Sequence, residues 1–127
     1  MKFLIDTHIF LWFINNDPKL SPTAKTLIES DAELLLSVAS LWEIAIKISI
    51  GKMTLPKPFK IFIPEQLQQN DITVLPIETN HLTYITALPF HHRDPFDRLL
   101  IAQSIVERIP IVSVDAAFDP YKVDRRM

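Results

Sequence analysis

Four acidic residues of this 127-residue sequence have types and positions that suit one hard-cation site. Asp6 directly follows one short apolar run, and Asp115 follows another. Glu43 and Asp97 each lie near the start of a segment with helical spacing. Magnesium and manganese prefer oxygen ligands, and carboxylates that gather without a cation repel one another. If the four side chains converge, they predict a divalent-metal site that orients water and neutralises charge on a phosphate.

Other catalytic chemistries lack their residues in this sequence. There is no cysteine, which excludes thiol catalysis, disulfides and cysteine-bound zinc. There is no G-x-S-x-G motif, and a single glycine cannot build a phosphate-binding loop. A net charge of −2 excludes a protein that grips nucleic acid by bulk positive charge. Any phosphate chemistry therefore requires a cation held by oxygen or imidazole.

Alternating strands and helices are predicted to position the acids. Uninterrupted apolar runs predict four buried strands, at 2–5, 33–37, 72–76 and 111–114. Helical spacing, prolines and cap residues predict helices at 7–14, 22–30, about 40–50, after Pro58 to about 69, 80–88 and 95 to about 108, with Gly51 at positive φ. This order indicates a three-layer α/β/α sandwich with a mostly parallel, four- to five-stranded sheet. Ligands bind at the carboxyl ends of such strands, where Asp6 and Asp115 fall.

The chain is predicted to form one domain, residues 1–127. Its length is near the commonest domain size of about 100 to 150 residues, and no repeat or linker divides it. The longest apolar region, 37–50, is broken by Glu43 and Lys47, whereas a membrane helix needs roughly 18 uncharged residues. No secretory cleavage pattern follows the N-terminus. We therefore expect a soluble, cytoplasmic protein without a membrane partner.

Several of the acids also have a purely structural interpretation. Ser40 and Glu43 have the S-x-x-E spacing of a capping box, in which Glu43 only ties off a helix start. Asp6 and Asp115 could follow strands by chance, because loops favour aspartate. The spacing alone leaves these alternatives open.

The segment before the last long helix has the residues of a helix start. Asp94 precedes a proline at the first helical position and is better explained as an N-cap. Asp97, at the third position, complements the helix dipole. A carboxylate that bonds back to its own helix has fewer lone pairs for a metal, so capping and metal binding compete at this position.

Nearby cations, histidines and tryptophans are interpreted as structural residues and not as part of the site. Lys47 and Arg98 could contact a phosphate, but lone cations lie more commonly at the surface or in ion pairs. His91 and His92 could suggest a metal site, but adjacent residues need not point the same way, so they are interpreted as a solvated loop pair. The tryptophans are interpreted as core or dimer-contact residues and not as base-stacking platforms: Trp12 and Trp42.

Three strings of residues resemble the PIN-domain family, and specifically its VapC toxin nucleases. They are FLIDTH at 3–8, SLWEIAIK at 40–47 and HRDPFDRLLIAQ at 92–103, in matching order and spacing. The resemblance implies an α/β sandwich, Mg²⁺- or Mn²⁺-dependent cleavage of RNA, a homodimer and inhibition by a small cognate antitoxin.

The same resemblance implies roles for individual residues. Asp6, Glu43 and Asp97 match the three core acids of the family, and Asp115 matches its less constant fourth acid. The family often has serine or threonine beside the first acid, and Thr7 matches that position. Asp94 belongs to the third string, so a secondary metal role for it stays open.

These observations predict a metal-dependent endoribonuclease that is the toxin of a toxin–antitoxin pair. Asp6, Glu43, Asp97 and Asp115 are the predicted catalytic and metal-binding residues, and RNA, an antitoxin and a second copy of the chain are the predicted partners. Two other classes are a catalytically silent binding module of the same fold and a magnesium-dependent phosphatase. Acids at all four positions argue against the silent module.

Overall fold

A parallel β-sheet forms the centre of the computed structural model, which describes residues 1–126. Within this range the strands are β1 (Lys2–Ile5), β2 (Glu33–Ser37), β3 (Ile72–Leu75), β4 (Ile111–Val112) and β5 (Arg125–Arg126). Their order in the sheet is β3-β2-β1-β4-β5, and the neighbouring strands pair in parallel. Parallel neighbours cannot be joined by tight hairpins, so longer connections return the chain across the sheet.

Helices supply most of these connections. Over residues 1–126 they are α1 (Thr7–Ile14), α2 (Pro22–Ile28), α3 (Val38–Ser49), α4 (Phe59–Gln69), α5 (Thr79–Thr86) and α6 (Pro95–Glu107), followed by a short 3-10 helix at Ala116–Phe118. None of the helices in this part of the chain combines the length and apolar character needed to cross a bilayer.

Side chains from alternate strand positions enter two separate cores. Phe3 and Ile5 of β1 pack on one face with residues of α1, α2 and α4, whereas Leu4 packs on the other face with α6. All three are nearly or fully buried, and burying such a side chain contributes about 1.5 to 3 kcal/mol. Helices on both faces of a five-stranded parallel sheet confirm the predicted α/β/α sandwich.

Most predicted elements are present, with shifts at their ends. The predicted bounds of β1, β2 and α1 agree with the structure. Ser21 caps α2, as predicted, by accepting a hydrogen bond from the N–H of Ala24 at 3.1 Å. Helix α2 ends at Ile28 and β4 at Val112, each two residues before the predicted end. Helix α5 spans 79–86 instead of 80–88.

The start of α3 differs from the prediction of about residue 40. Ser37, the last residue of β2, accepts a hydrogen bond from the N–H of Ala39 at 3.0 Å and caps the helix. Helix α3 therefore begins directly after β2. Ser40 lies within the first turn and Glu43 in the second, so the capping-box interpretation of this pair is wrong.

Gly51 ends the α3 region as predicted, with φ at +74°. Its N–H donates to the carbonyl of Ile48 at 3.1 Å, and the N–H of Lys52 donates to the carbonyl of Lys47 at 2.8 Å. These bonds satisfy two of the last carbonyls of the helix.

Strand β5 consists of two arginines and was not among the predicted strands. Arg125 pairs in register with Ile111, and the guanidinium groups of Arg125 and Arg126 bond to Asp119 and Asp124. Charged side chains suit an edge strand because they discourage pairing with another chain.

Candidate active site

Asp6 lies where β1 ends and α1 begins, at the carboxyl edge of the sheet. Its carboxylate accepts a hydrogen bond from the N–H of Ile9 at 2.8 Å, and the side chain of Ser113 is near enough to lower its pKa. The residue is 5% exposed. Burial raises the pKa of this carboxyl, its hydrogen bonds act in the opposite direction, and the charge of Asp115 raises the pKa further. Asp6 and Asp115 therefore lie near enough for their charges to interact.

Glu43 is carried by the second turn of α3, where its carboxylate is not needed for capping. The ammonium of Lys47 lies 3.3 Å from Oε2 of Glu43, which confirms Lys47 as an ion-pair residue. The hydroxyl of Thr7 donates to Oγ of Ser40 at 2.9 Å and fastens the start of α1 to α3. The charge of Glu43 raises the pKa of Asp97, so these two carboxylates are also neighbours.

The two aspartates at the start of α6 have different surroundings. Oδ1 of Asp94 accepts hydrogen bonds from the N–H groups of Phe96 at 2.8 Å and Asp97 at 3.2 Å, which confirms Asp94 as the N-cap. Burial raises the pKa of Asp97 to about 7, and the negative charges of Asp94, Glu43 and Asp6 contribute to this rise. Capping by Asp94 leaves the Asp97 carboxylate to face the other acids.

Asp115 begins the short 3-10 helix after β4. One of its oxygens accepts a hydrogen bond from the N–H of Ala117 at 2.9 Å, and its side chain is half-exposed. It is more open to solvent than the side chains of Glu43 and Asp97. The structure thus brings all four predicted acids to one edge of the sheet, with Asp115 on the solvent side.

His92 is a member of this cluster that the sequence interpretation missed. Its Nε2 lies 3.1 Å from Oδ2 of Asp97 and 3.7 Å from Oδ2 of Asp115, and its side chain is 16% exposed. The interpretation of His92 as a solvated loop residue is therefore wrong, whereas His91 is exposed as predicted. One signal in the sequence could have indicated its role: His92 is the first residue of the HRDPFDRLLIAQ string at 92–103, which resembles the family.

Arg98 and Trp42 also differ from their predicted surroundings. Arg98 is buried and donates to the carbonyls of Leu88 at 3.1 Å and Pro89 at 2.9 Å, so it is neither a surface cation nor an ion-pair residue. Trp42 is 55% exposed and lies edge-on to Phe96, with ring centroids 5.1 Å apart, so it is not a core residue. The other tryptophan, at position 12, packs against a core as predicted.

The donor set of the cluster suits a divalent cation. Magnesium and manganese take carboxylate oxygens, and Asp6, Glu43, Asp97 and Asp115 each supply a carboxylate. The raised pKa of Asp97 reflects burial and repulsion from neighbouring acids, which a bound cation would offset. The potential ligand atoms of His92, Asp97 and Asp115 lie within 4.8 Å of one another. The residues present therefore fit a divalent metal.

Comparison with known proteins gives a match over nearly the whole chain. The family model described as PIN domain matches residues 3–123. A 51-residue segment is 33% identical to ribonuclease VapC16 of Mycobacterium tuberculosis, and this segment covers 40% of the chain and 36% of that protein. The chain thus matches just over a third of the length of this relative.

Solved structures share the fold at low sequence identity. VapBC2 from Rickettsia felis, bound to a DNA fragment from its promoter, aligns with a TM-score of 0.75 and 15% identity over 99% of this chain and 98% of that chain. A toxin–antitoxin complex from Klebsiella pneumoniae aligns with a TM-score of 0.66 and 12% identity over 98% of this chain and 95% of that chain. The fold of this chain therefore agrees with the fold of these structures over nearly its whole length.

Proposed function

The chain belongs to the PIN domain family, and on that premise we propose that it is a metal-dependent endoribonuclease, the toxin of a toxin–antitoxin pair. The observation that carries the proposal is the gathering of Asp6, Glu43, Asp97 and Asp115, where burial and neighbouring charges raise the pKa of Asp97 to about 7. Similarity to a ribonuclease and to a toxin–antitoxin complex supports it. The match over 3–123 supports one domain, and an RNA substrate implies action in the cytoplasm.

We assign Mg²⁺ or Mn²⁺ to the carboxylates of Asp6, Glu43, Asp97 and Asp115. When bound, the ion supplies positive charge that orients a water molecule and neutralises phosphate oxygens during displacement. The hydrogen bond from the N–H of Ile9 holds the carboxylate of Asp6 in a fixed orientation. Such fixed groups need little rearrangement when charge develops during the reaction.

The exposed side of the cluster is the side from which we expect RNA to approach. Asp115 is half-exposed there, and about a third of the Lys47 side chain is accessible beside Glu43. An ammonium in this position can neutralise a phosphate group of the incoming strand. In the free protein the same ammonium offsets part of the charge of Glu43.

Cleavage of RNA by the purified protein tests the proposal. We expect cleavage with Mg²⁺ or Mn²⁺, its loss in chelator and its return when excess metal is added. Hydrolysis of a small phosphate ester faster than RNA would identify a phosphatase instead. A protein that binds Mn²⁺ but cleaves neither substrate would be the silent binding module.

A melting experiment tests metal binding separately from activity. An ion that binds only the folded protein stabilises it by about 2.7 kcal/mol at a hundred times its dissociation constant. We therefore expect millimolar Mn²⁺ to raise the melting temperature. An unchanged melting temperature in both Mn²⁺ and Mg²⁺ would contradict the assignment of the four acids as metal ligands.

We also propose two protein partners. An arginine of a cognate antitoxin can form charge-assisted hydrogen bonds with the acid cluster and block metal and substrate together. A second copy of the chain is expected because large apolar side chains are exposed, among them Trp42, Ile50 and Phe90. Light scattering should give the mass of a dimer, and a strict monomer at high concentration would exclude the homodimer.

A further inference from the structure

The imidazole of His92 is fixed at both nitrogens. Nδ1 accepts a hydrogen bond from the N–H of Asp94 at 3.2 Å, and Nε2 faces Oδ2 of Asp97 at 3.1 Å and Oδ2 of Asp115 at 3.7 Å. By distance alone, Nε2 could be either a metal ligand or a hydrogen-bond donor, because the atoms of this group lie close together.

The hydrogen bond at Nδ1 distinguishes the two possibilities. A nitrogen that accepts an N–H uses its lone pair, so the ring proton of His92 must lie on Nε2. A doubly protonated ring would direct two donors, Nδ1–H and the N–H of Asp94, at each other. A nitrogen that carries a proton cannot coordinate a metal. Nε2 of His92 therefore donates to the carboxylate of Asp97.

Two buried side chains hold the backbone that carries His92. Arg98 donates to the carbonyls of Leu88 and Pro89, and its guanidinium lies 3.9 Å from the centre of the Phe90 ring. The hydroxyl of Tyr121 donates to the carbonyl of Pro89 at 2.7 Å and accepts a hydrogen bond from the N–H of His92 at 2.8 Å.

These contacts give the His92 loop a defined position. Both Arg98 and Tyr121 are nearly inaccessible to solvent, and Tyr121 follows His92 by 29 residues in the chain. The hydrogen bond from the N–H of His92 to Tyr121 thus connects this loop to a distant segment, at the same residue whose side chain contacts the acids. The N–H of His92 and the side chain of His92 are fixed by different partners, which leaves the ring little freedom to turn away.

We propose that His92 is a hydrogen-bond donor that orients the metal-binding carboxylates of Asp97 and Asp115 without binding the metal, and that Tyr121 positions it. This inference rests on the proposed function, because it takes these acids as metal ligands. Hydrogen bonds to ligating carboxylates set their orientation, and loss of such a partner typically costs about 10- to 100-fold in metal affinity or activity.

The tautomer of His92 can be measured without any activity assay. We expect long-range ¹H–¹⁵N correlation spectra of the full chain in chelator to show the Nε2–H form, with His92 signals assigned by their loss in His92→Gln. Adding Mg²⁺ should leave the Nε2 proton in place. His81, which also accepts a backbone N–H at Nδ1, is the internal reference. An Nδ1–H form, or loss of the Nε2 proton on adding Mg²⁺, would overturn the proposal.

Manganese affinity, measured as free Mn²⁺ by electron paramagnetic resonance, tests the effect on the site. His92→Ala should weaken binding by about 10- to 100-fold. His92→Gln should recover much of this loss because its amide N–H can still donate. Unchanged affinity in His92→Ala, with normal binding by the wild type, would overturn this inference alone. Absence of binding by the wild type would instead overturn the proposed function.

A double-mutant cycle tests the positioning role of Tyr121. Tyr121→Phe removes the hydroxyl and should lose part of the Mn²⁺ affinity, but it should have no further effect in the His92→Ala background. Tyr84→Phe is the matched control, because Tyr84 lies on α5 and should leave the affinity unchanged. Additive losses in the double variant would show that Tyr121 does not act through His92.

Discussion

Two histidine–carboxylate clusters in the described part of the chain are built alike at the imidazole. Nδ1 of His81 accepts the N–H of Glu78 at 3.0 Å, and its Nε2 lies 2.9 Å from Oε2 of Glu107. Nδ1 of His92 likewise accepts a backbone N–H, and its Nε2 lies 3.1 Å from Asp97. The ring contacts alone therefore do not separate a structural histidine from a functional one.

The two clusters differ in the acids that lie beyond the two carboxylates near each ring. His81 is fully buried, a carboxylate oxygen of Glu78 lies in the same group, and the bond from His81 to Glu107 connects α5 to α6. His92 also has two carboxylates near its ring, but here Asp6 and Glu43 add their charges to Asp97, so more acids gather in this cluster. Carboxylates in excess of their donors attract a cation. This excess, and not the histidine, marks the cluster at the sheet edge as the functional one.

Asp97→Asn should have the largest effect on RNA cleavage, and it should change only the cluster that contains His92. It removes a charged oxygen ligand while hardly changing shape, so RNA cleavage should fall by about a hundredfold or more. Stability in chelator should not fall, because repulsion among the acids is relieved. Cleavage assays and melting curves should be run beside Glu107→Gln, the matched change in the other cluster, which should cleave normally. Full activity of Asp97→Asn would remove this residue from the site.

His81→Ala should have the opposite signature. It leaves the N–H of Glu78 without its partner and opens a cavity, so the free energy of unfolding should fall by about 2 to 4 kcal/mol. RNA cleavage per folded molecule should stay near that of the wild type, since His81 lies outside the acid cluster. Urea unfolding and cleavage by the folded fraction measure the two effects. A loss of cleavage without a loss of stability would show that the His81 cluster also has a functional role.

The pH dependence of stability should follow Asp97 in chelator. Its pKa is raised to about 7 in the folded protein, from 3.8 as its ordinary value, so protonation favours folding. This contribution is fully present below about pH 4 and is lost as the pH rises through about 7. Urea unfolding from pH 5 to 8 should show the wild type losing stability relative to Asp97→Asn. Parallel curves for the two proteins would contradict the raised pKa.

Local signals in the sequence were sufficient for most of the fold. Apolar runs and cap residues predicted β1, β2 and α1 with their observed bounds, because each element is marked by its own residues. The start of α3 was misplaced because Ser37 ends a strand and caps a helix at once, with no loop between them. Strand β5 carries no apolar signal, since it depends on pairing with β4.

In the candidate site, too, residues marked by their own segment were predicted, and a residue placed by distant contacts was not. The four acids were found because they follow strands or begin helices and match a family pattern. His92 was not found, because its direction depends on a loop held by Arg98 and by the hydroxyl of Tyr121. The contact to Tyr121 spans 29 residues of the chain, and no periodicity or spacing around His92 reports it.

Asp94→Asn should have the smallest effect and separates capping from metal binding within the functional cluster. Asparagine caps helices about as well as aspartate, so stability should stay within a few tenths of a kcal/mol, whereas Asp94→Ala should cost about 0.5 to 2 kcal/mol. Most of the cleavage activity should remain in Asp94→Asn. The charge of Asp94 also raises the pKa of Asp97 in the folded protein, so in chelator the loss of stability with rising pH should be smaller in this variant and should be complete at a lower pH. A loss of cleavage equal to that of Asp97→Asn would mean that Asp94 belongs among the metal ligands.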